Sequence, residues 1–95
     1  MRTVYFKQWN CKVKRNSYMD NDRVALQLVD STTGEPIAHA TINIPHIPLE
    51  ADEVIIKDYS ENEGMLSALI EAGIVGEPLY YVPTGFVECP VCKLL

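Results

Sequence analysis

The segment KDYSENEGMLSALIEAGIVGEP, residues 57–78, decides how this chain is organised, because it holds the clearest helical pattern in the 95 residues. Apolar side chains recur there at the spacing of one helix face, which is typical of a helix that packs against a core. The stripe consists of Met65, Leu66, Leu69 and Ile70. Gly73 follows it and is a natural residue to end a helix in the left-handed conformation. The segment therefore predicts one amphipathic helix.

The polar residues before this helix have two interpretations. Ser60 and Glu63 have the spacing of a capping box, in which the hydroxyl and the carboxylate satisfy free backbone amides at the helix start. Glu61 and Glu63 would also place negative charge at the positive end of the helix dipole. The alternative is that Glu61, Asn62 and Glu63 form a ligand or catalytic cluster. We favour the capping interpretation.

Segments before the helix show the period-two alternation of β-strands. RVALQLVD (residues 23–30) and IAHATINI (residues 37–44) flank a turn sequence and predict an antiparallel hairpin. In the second segment the predicted buried face consists of Ala38, Ala40, Ile42 and Ile44. Two prolines make residues 45–52 a surface connection. EVIIK (residues 53–57) is apolar on both faces, which indicates a short strand covered on each side.

The two ends of the chain also favour β-structure. Thr3 to Val13 predicts a strand with a bulge or register change near Lys7, and residues 79–95 predict a terminal hairpin or two strands joined at a kink. The pattern predicts a single α+β domain over residues 1–95. We expect a largely antiparallel sheet of four to six strands with one helix packed on one face.

Composition limits the classes of protein that this chain can represent. Hydrophobic residues make up 47% and charged residues 22%, which is ordinary for a globular domain. No apolar run has the form of a secretory signal or the length of a membrane span, so we expect a cytoplasmic protein without a membrane partner. An odd number of cysteines, three, does not suggest a disulfide framework.

The most recognisable chemical motif is Cys89-Pro90-Val91-Cys92. Such a pair of thiols can contribute to a zinc site or cycle between dithiol and disulfide. We favour packed or free thiols, with metal binding or redox chemistry by Cys89 and Cys92 as alternatives. His39 and His46 are the only imidazoles, and we find no convergent catalytic set. We therefore expect a protein that is not an enzyme and has no cofactor.

Charge is distributed unevenly along the chain. Residues 1–23 have a net charge of +4, whereas residues 24–95 have a net charge of −9. This asymmetry can steer a charged partner or orient self-association. The basic side chains that we place on the outer face of the first strand, as a speculative binding surface, are Lys7, Lys12, Lys14 and Arg15.

The same basic strand also contains aromatic residues, which raises the question of nucleic-acid binding. Exposed aromatic side chains beside lysines can stack on bases. We favour a core pair of Tyr5 and Trp9 flanked by solvated lysines, and an acidic body repels phosphate. Nucleic acid is therefore not an expected partner.

Three strings in this order, TGEPIAHATINI, IIKDYSENEGMLSALIEAGIV and GFVECPV, resemble a small family of uncharacterised proteins from bacteriophages, conjugative elements and gut bacteria. The resemblance covers about residues 24–95. It implies an origin in mobile DNA and no catalytic residues.

These observations lead to three functional hypotheses. The first is a small non-enzymatic accessory protein of a mobile element or its bacterial host that binds a protein partner or forms a homo-oligomer. The second is an acidic decoy that occupies the nucleic-acid-binding site of a host defence protein. The third is a metal or redox protein that uses Cys89 and Cys92.

Overall fold

A computed structural model describes residues 3–95 of the chain. These residues form eight β-strands, a short 3-10 helix and one α-helix. The strands are β1 (Thr3–Phe6), β2 (Trp9–Ser17), β3 (Val24–Asp30), β4 (Pro36–His39), β5 (Thr41–Ile42), β6 (Glu53–Ile56), β7 (Tyr80–Thr84) and β8 (Val87–Lys93). The 3-10 helix is Ser60–Asn62 and the α-helix, α1, is Met65–Glu71. The predicted α+β class is confirmed.

All the strand pairs are antiparallel, and the strands belong to two sheets of four. The first sheet has the order β1-β2-β3-β4, and the second has the order β5-β6-β8-β7. The predicted hairpin over residues 23–44 is present as the pairing of β3 with β4. The predicted terminal hairpin is present as β7 and β8, joined by the two residues Gly85 and Phe86.

The first predicted strand, Thr3 to Val13, is instead a hairpin. Phe6 pairs with Trp9, so Lys7 and Gln8 form a two-residue turn in which Lys7 has a φ of 54°. Because the chain reverses there, Val4 and Phe6 face the core while Tyr5 faces outward with 63% of its surface exposed. The predicted core pair of Tyr5 and Trp9 is therefore wrong.

The predicted strand of residues 37–44 is divided between the two sheets at Ala40. The Ala40 N–H donates to the Leu26 carbonyl of the first sheet at 2.9 Å. The Ala40 carbonyl accepts from the Lys57 N–H, next to β6 of the second sheet, also at 2.9 Å. Ala40 is fully buried, so its methyl side chain suits the point where the two sheets meet.

Two apolar clusters hold the structure together. The first cluster joins the inner face of the first sheet, one face of the second sheet and α1, through residues such as Leu28, Ile56 and Leu69. The second cluster lies on the opposite face of the second sheet, around Ile55 and Val91. Side chains from the connection that follows β5 pack against it, so the short strand β6 is covered on both faces as predicted.

The start of the helix differs from the predicted capping box. Ser60 lies in the 3-10 helix with a φ of 55°, and Gly64 is the N-cap residue of α1 with no side-chain cap of its own. Asp58 Oδ1 instead accepts from the backbone N–H groups of Gly64 at 3.2 Å and Leu66 at 2.9 Å. A carboxylate does satisfy the helix start, but it comes from Asp58, two residues before the 3-10 helix.

The end of the helix agrees with the sequence. Gly73 has a φ of 72° and its N–H donates to the Ile70 carbonyl, while the Ile74 N–H donates to the Leu69 carbonyl. These two bonds form a Schellman motif, which satisfies carbonyls at the helix C-terminus.

Candidate binding surface

The structure does not assemble a cluster of metal-ligating side chains. Among residues 3–95, no group of three or more His, Cys, Asp and Glu side chains is placed to hold an ion. His39 and His46 are both exposed, His39 at the end of β4 and His46 in the following connection. Neither imidazole belongs to a catalytic arrangement that the described residues display.

The largest depression described has a volume of about 330 Å³ and is lined in part by Arg23, Glu50 and Glu53. The Arg23 guanidinium donates to the carbonyls of Ile44, at 3.0 Å, and of Ile47. Arg23 thus secures the connection after β5 to the first sheet. Its hydrogen bonds give this side chain a structural role.

Cys89 and Cys92 lie on opposite faces of β8. Cys89 belongs to the second apolar cluster and Cys92 to the first, as expected for residues an odd number of positions apart on a strand. Both thiols are fully buried. This arrangement does not direct the two sulfur atoms toward one ion, and the motif lies on a strand instead of at a helix start.

The environment of the thiols lowers their reactivity. Burial raises the pKa of Cys89, and it raises the pKa of Cys92 to about 11, with a smaller contribution from the charge of Glu77. Burial is also the main cause of the raised pKa of Cys11. Because the thiolate is the nucleophile and the metal ligand, these cysteines behave as packed apolar residues.

The acidic and amide residues before α1 are engaged in local structure. Glu61 Oε1 forms an exposed ion pair with Lys57 Nζ at 2.6 Å, and this hydrogen bond is the main cause of the lowered pKa of Glu61. Asn62 is buried and donates through Nδ2 to the His39 carbonyl at 2.6 Å and the Lys57 carbonyl at 3.1 Å. The amide of Asn62 therefore connects the end of the first sheet to the segment that precedes the helix.

A continuous polar surface covers the side of the first sheet that faces away from the core. Strand alternation and the observed register assign ten side chains to this side, in addition to Pro36 opposite Val29 at the start of β4. We call it the outer face of the first sheet, and it consists of Thr3, Tyr5, Asn10, Lys12, Lys14, Asn16, Ala25, Gln27, Val29 and His39. None of these side chains belongs to either apolar cluster.

The charge of this surface is opposite to that of the whole chain. None of its ten side chains is acidic, although the chain has a net charge of −5. Lys12 and Lys14 are exposed and point to the same side, with their Cα atoms about 7 Å apart along the strand. Tyr5 lies on β1 opposite Asn10, next to Lys12, and adds an exposed ring. The surface thus combines positive charge, amides and one aromatic side chain.

The four basic residues predicted to share one binding surface, Lys7, Lys12, Lys14 and Arg15, do not all lie on the same side of the first sheet. Lys12 and Lys14 share the outer face of the first sheet. Arg15 has the opposite orientation and lines a depression with Val13 and other apolar residues. Lys7 lies in the turn, where its Nζ donates to the Glu61 carbonyl at 2.8 Å. Only the first two therefore form one surface in this structure.

The acidic residues do not form one comparable surface. They are distributed over strands, helices and connections, and five of the eleven in residues 24–95 have identified hydrogen-bond or ion-pair partners: Asp30, Asp52, Glu53, Asp58 and Glu61. A mimic of nucleic acid needs its carboxylates free and aligned. The observed distribution offers less support to the decoy hypothesis than to a basic docking face.

No helix in residues 3–95 is long and apolar enough to cross a membrane. Searches of protein-family models, curated proteins and solved structures give no match to this chain.

Proposed function

We propose that this chain is a small non-enzymatic accessory protein of a mobile element or its bacterial host, and that it acts in the cytoplasm by binding an acidic protein surface. The outer face of the first sheet would make the contact. The observation that carries the proposal is the exposed pair Lys12 and Lys14 on a sheet face whose own side chains include no carboxylate, in a chain whose remaining charge is strongly negative. The acidic side chain that borders this face is Glu71 of α1, beside Thr3 and Tyr5 at its β1 edge.

The contrast between the positive outer face of the first sheet and the negative remainder of the chain supports binding through this face. An acidic partner would be attracted by Lys12 and Lys14 and repelled by the rest of the chain, so encounters would favour one face. Tyr5 would contribute contact area at a small cost in conformational entropy, as tyrosine commonly does in interfaces. The amides of Asn10 and Gln27 provide hydrogen-bonding groups around the two lysines.

The surface is less suited to single-stranded nucleic acid. Such proteins combine a basic track with several aromatic side chains that stack on successive bases. Here Tyr5 is the one aromatic side chain on the outer face of the first sheet, and Lys12 and Lys14 are its two formal positive charges. A protein partner with a complementary acidic patch is the better fit.

Affinity capture with matched charge reversals tests the proposal. The immobilised chain is incubated with nuclease-treated bacterial extract as wild type, Lys12→Glu and Lys93→Glu. The two substitutions change the net charge equally, but Lys93 lies on the second sheet with 60% of its side chain exposed. Circular dichroism establishes that each variant is folded.

We expect one bacterial protein to be retained by the wild type and by Lys93→Glu, and to be lost with Lys12→Glu and with the double variant Lys12→Glu/Lys14→Glu. Added salt should weaken the retention. Equal retention by all variants, or retention of nucleic acid alone from untreated extract, would overturn the proposal.

A further inference from the structure

A second exposed surface lies on the free edge of the second sheet. Four of the exposed large hydrophobic side chains are concentrated in the terminal hairpin: Leu79, Tyr80, Tyr81 and Phe86. Phe86, at the tip of the hairpin, is fully exposed. We call β7 with this tip the β7 edge. From its geometry we infer that the β7 edge is a contact surface for a second copy of this chain.

Hydrogen-bonding geometry limits what can pair with this edge. Because a two-residue loop closes the hairpin, Thr84 and Val87 form a hydrogen-bonded pair, and pairs alternate from there. Tyr80 and Val82 consequently bond to β8, whereas the N–H and C=O of Tyr81 point outward. Pro83 also faces outward but has no N–H, and the Leu79 N–H donates to the Val91 carbonyl.

Tyr81 is therefore the one position in β7 that offers both an outward donor and an outward acceptor. A twofold axis beside Tyr81 would let the two copies exchange both hydrogen bonds, with Tyr81 facing the same residue of the second copy. A twofold axis at Pro83 would lose both donors, because proline has no N–H. A twofold axis at Tyr81 is the arrangement in which one residue of each copy supplies both the donor and the acceptor.

Charge favours a second copy at this place over most others on the surface. Each chain carries a net charge of −5, so two copies repel each other unless they meet through a neutral patch. Residues 78–87 contain no charged side chain. Natural edge strands that avoid pairing commonly carry a charge or a proline. β7 has no charge, and its proline, Pro83, does not remove the outward N–H of Tyr81.

The same register would cover the exposed hairpin tip. Antiparallel pairing centred on Tyr81 directs Phe86 of one copy toward Gly76 of the second copy. Leu95 lies beside Gly76 within each chain, and 77% of its surface is exposed. The twofold contact would therefore bury Phe86 of each copy against Leu95 of the other.

Sedimentation velocity over micromolar to millimolar concentrations tests this inference on the full chain. We expect a dimer for the wild type and a monomer for Tyr81→Lys and for Phe86→Glu. The matched control is Met19→Lys, because Met19 is 98% exposed and lies in the β2–β3 turn, outside β7 and the hairpin tip. A monomeric wild type, or a dimer that persists in both edge variants, would overturn the inference.

A disulfide trap tests the register independently of the stability of the variants. Facing residues in a hydrogen-bonded antiparallel pair have Cα atoms about 5.5 Å apart, which suits a disulfide. Tyr81→Cys should therefore form a covalent dimer on mild oxidation, whereas Met19→Cys and the wild type should not. Equal cross-linking of Met19→Cys and Tyr81→Cys would contradict the pairing.

Discussion

Asp58 accepts a hydrogen bond from the backbone N–H of Leu66, with 2.9 Å between Oδ1 and N. The same oxygen accepts from the Gly64 N–H at 3.2 Å. One carboxylate thereby satisfies two amides at the start of α1 and ties the 3-10 turn to the helix. The conspicuous acidic residues before Met65 include the one that begins the helix, but it lies two positions earlier than the capping-box pattern indicates.

We predict that Asp58→Ala lowers the free energy of unfolding by about 1–2 kcal/mol, because the amides of Gly64 and Leu66 lose their acceptor. Ser60→Ala should change it by less than about 0.5 kcal/mol, since Ser60 makes no cap. Urea denaturation measures both values. A larger decrease in the free energy of unfolding for Ser60→Ala than for Asp58→Ala would indicate that Ser60, not Asp58, caps the helix.

Asn62 provides a second prediction about the same segment. Asn62→Ala should lower the free energy of unfolding by roughly 2–3 kcal/mol, because it removes a buried donor from the carbonyls of His39 and Lys57. Glu61→Ala, one position away, removes only an exposed ion pair and should cost much less than Asn62→Ala. Similar losses for the two variants in thermal or urea unfolding would contradict this role of Asn62.

The start and end of the helix illustrate what the sequence could and could not predict. Gly73 identified the helix end because few other residues adopt a positive φ without strain. Asp58 was missed because the 3-10 turn moves α1 to Met65, and nothing in the local spacing indicates this displacement. The capping pattern of Ser60 and Glu63 is a local signal, and the tertiary hydrogen bonds of Asn62 override it.

The sequence pattern also does not indicate that the strands divide into two sheets. Alternation continues through Ala38, Ala40 and Ile42 although the chain changes sheet at Ala40, because Ala38 and Ala40 pack in the first apolar cluster and Ile42 packs in the second. The Lys7 turn lacks the Gly or Asn that usually marks a two-residue hairpin loop. Because the sequence does not indicate this turn, it predicts the wrong orientation for Tyr5. For the same reason it does not reveal which side chains share the outer face of the first sheet.

The buried thiol of Cys92 predicts a specific dependence of stability on pH. Its pKa rises from 9.0 to about 11 in the folded protein. Above pH 9 the unfolded chain releases this proton while the folded chain keeps it. The free energy of unfolding should therefore fall between pH 9 and about 11, by about 1.4 kcal/mol per pH unit for this thiol.

The measurement is urea unfolding of the wild type and Cys92→Ala across this pH range. The variant is expected to be less stable throughout because it leaves a cavity, but its stability should fall less steeply with pH. Parallel pH profiles for the two proteins would show that the Cys92 thiol does not contribute this proton linkage.

Lys7→Gly separates the structural role of the turn from binding. Glycine relieves the left-handed conformation of residue 7, worth about 1 kcal/mol, and this offsets the loss of the exposed hydrogen bond to Glu61. We expect unchanged or slightly higher stability and retained capture of the acidic partner. Loss of capture comparable to that of Lys12→Glu would place Lys7 in the contact surface.

Site-specific photo-cross-linking tests whether the outer face of the first sheet contacts an acidic protein, with a photo-reactive phenylalanine analogue at position 5 or, as the control, at position 19. Both native side chains are exposed, Tyr5 by 63% and Met19 by 98%. We expect a cross-link from position 5 to the captured protein that is absent from position 19 and lost in Lys12→Glu/Lys14→Glu. Cross-links of equal yield from both positions, or one from position 5 that survives the double charge reversal, would contradict it.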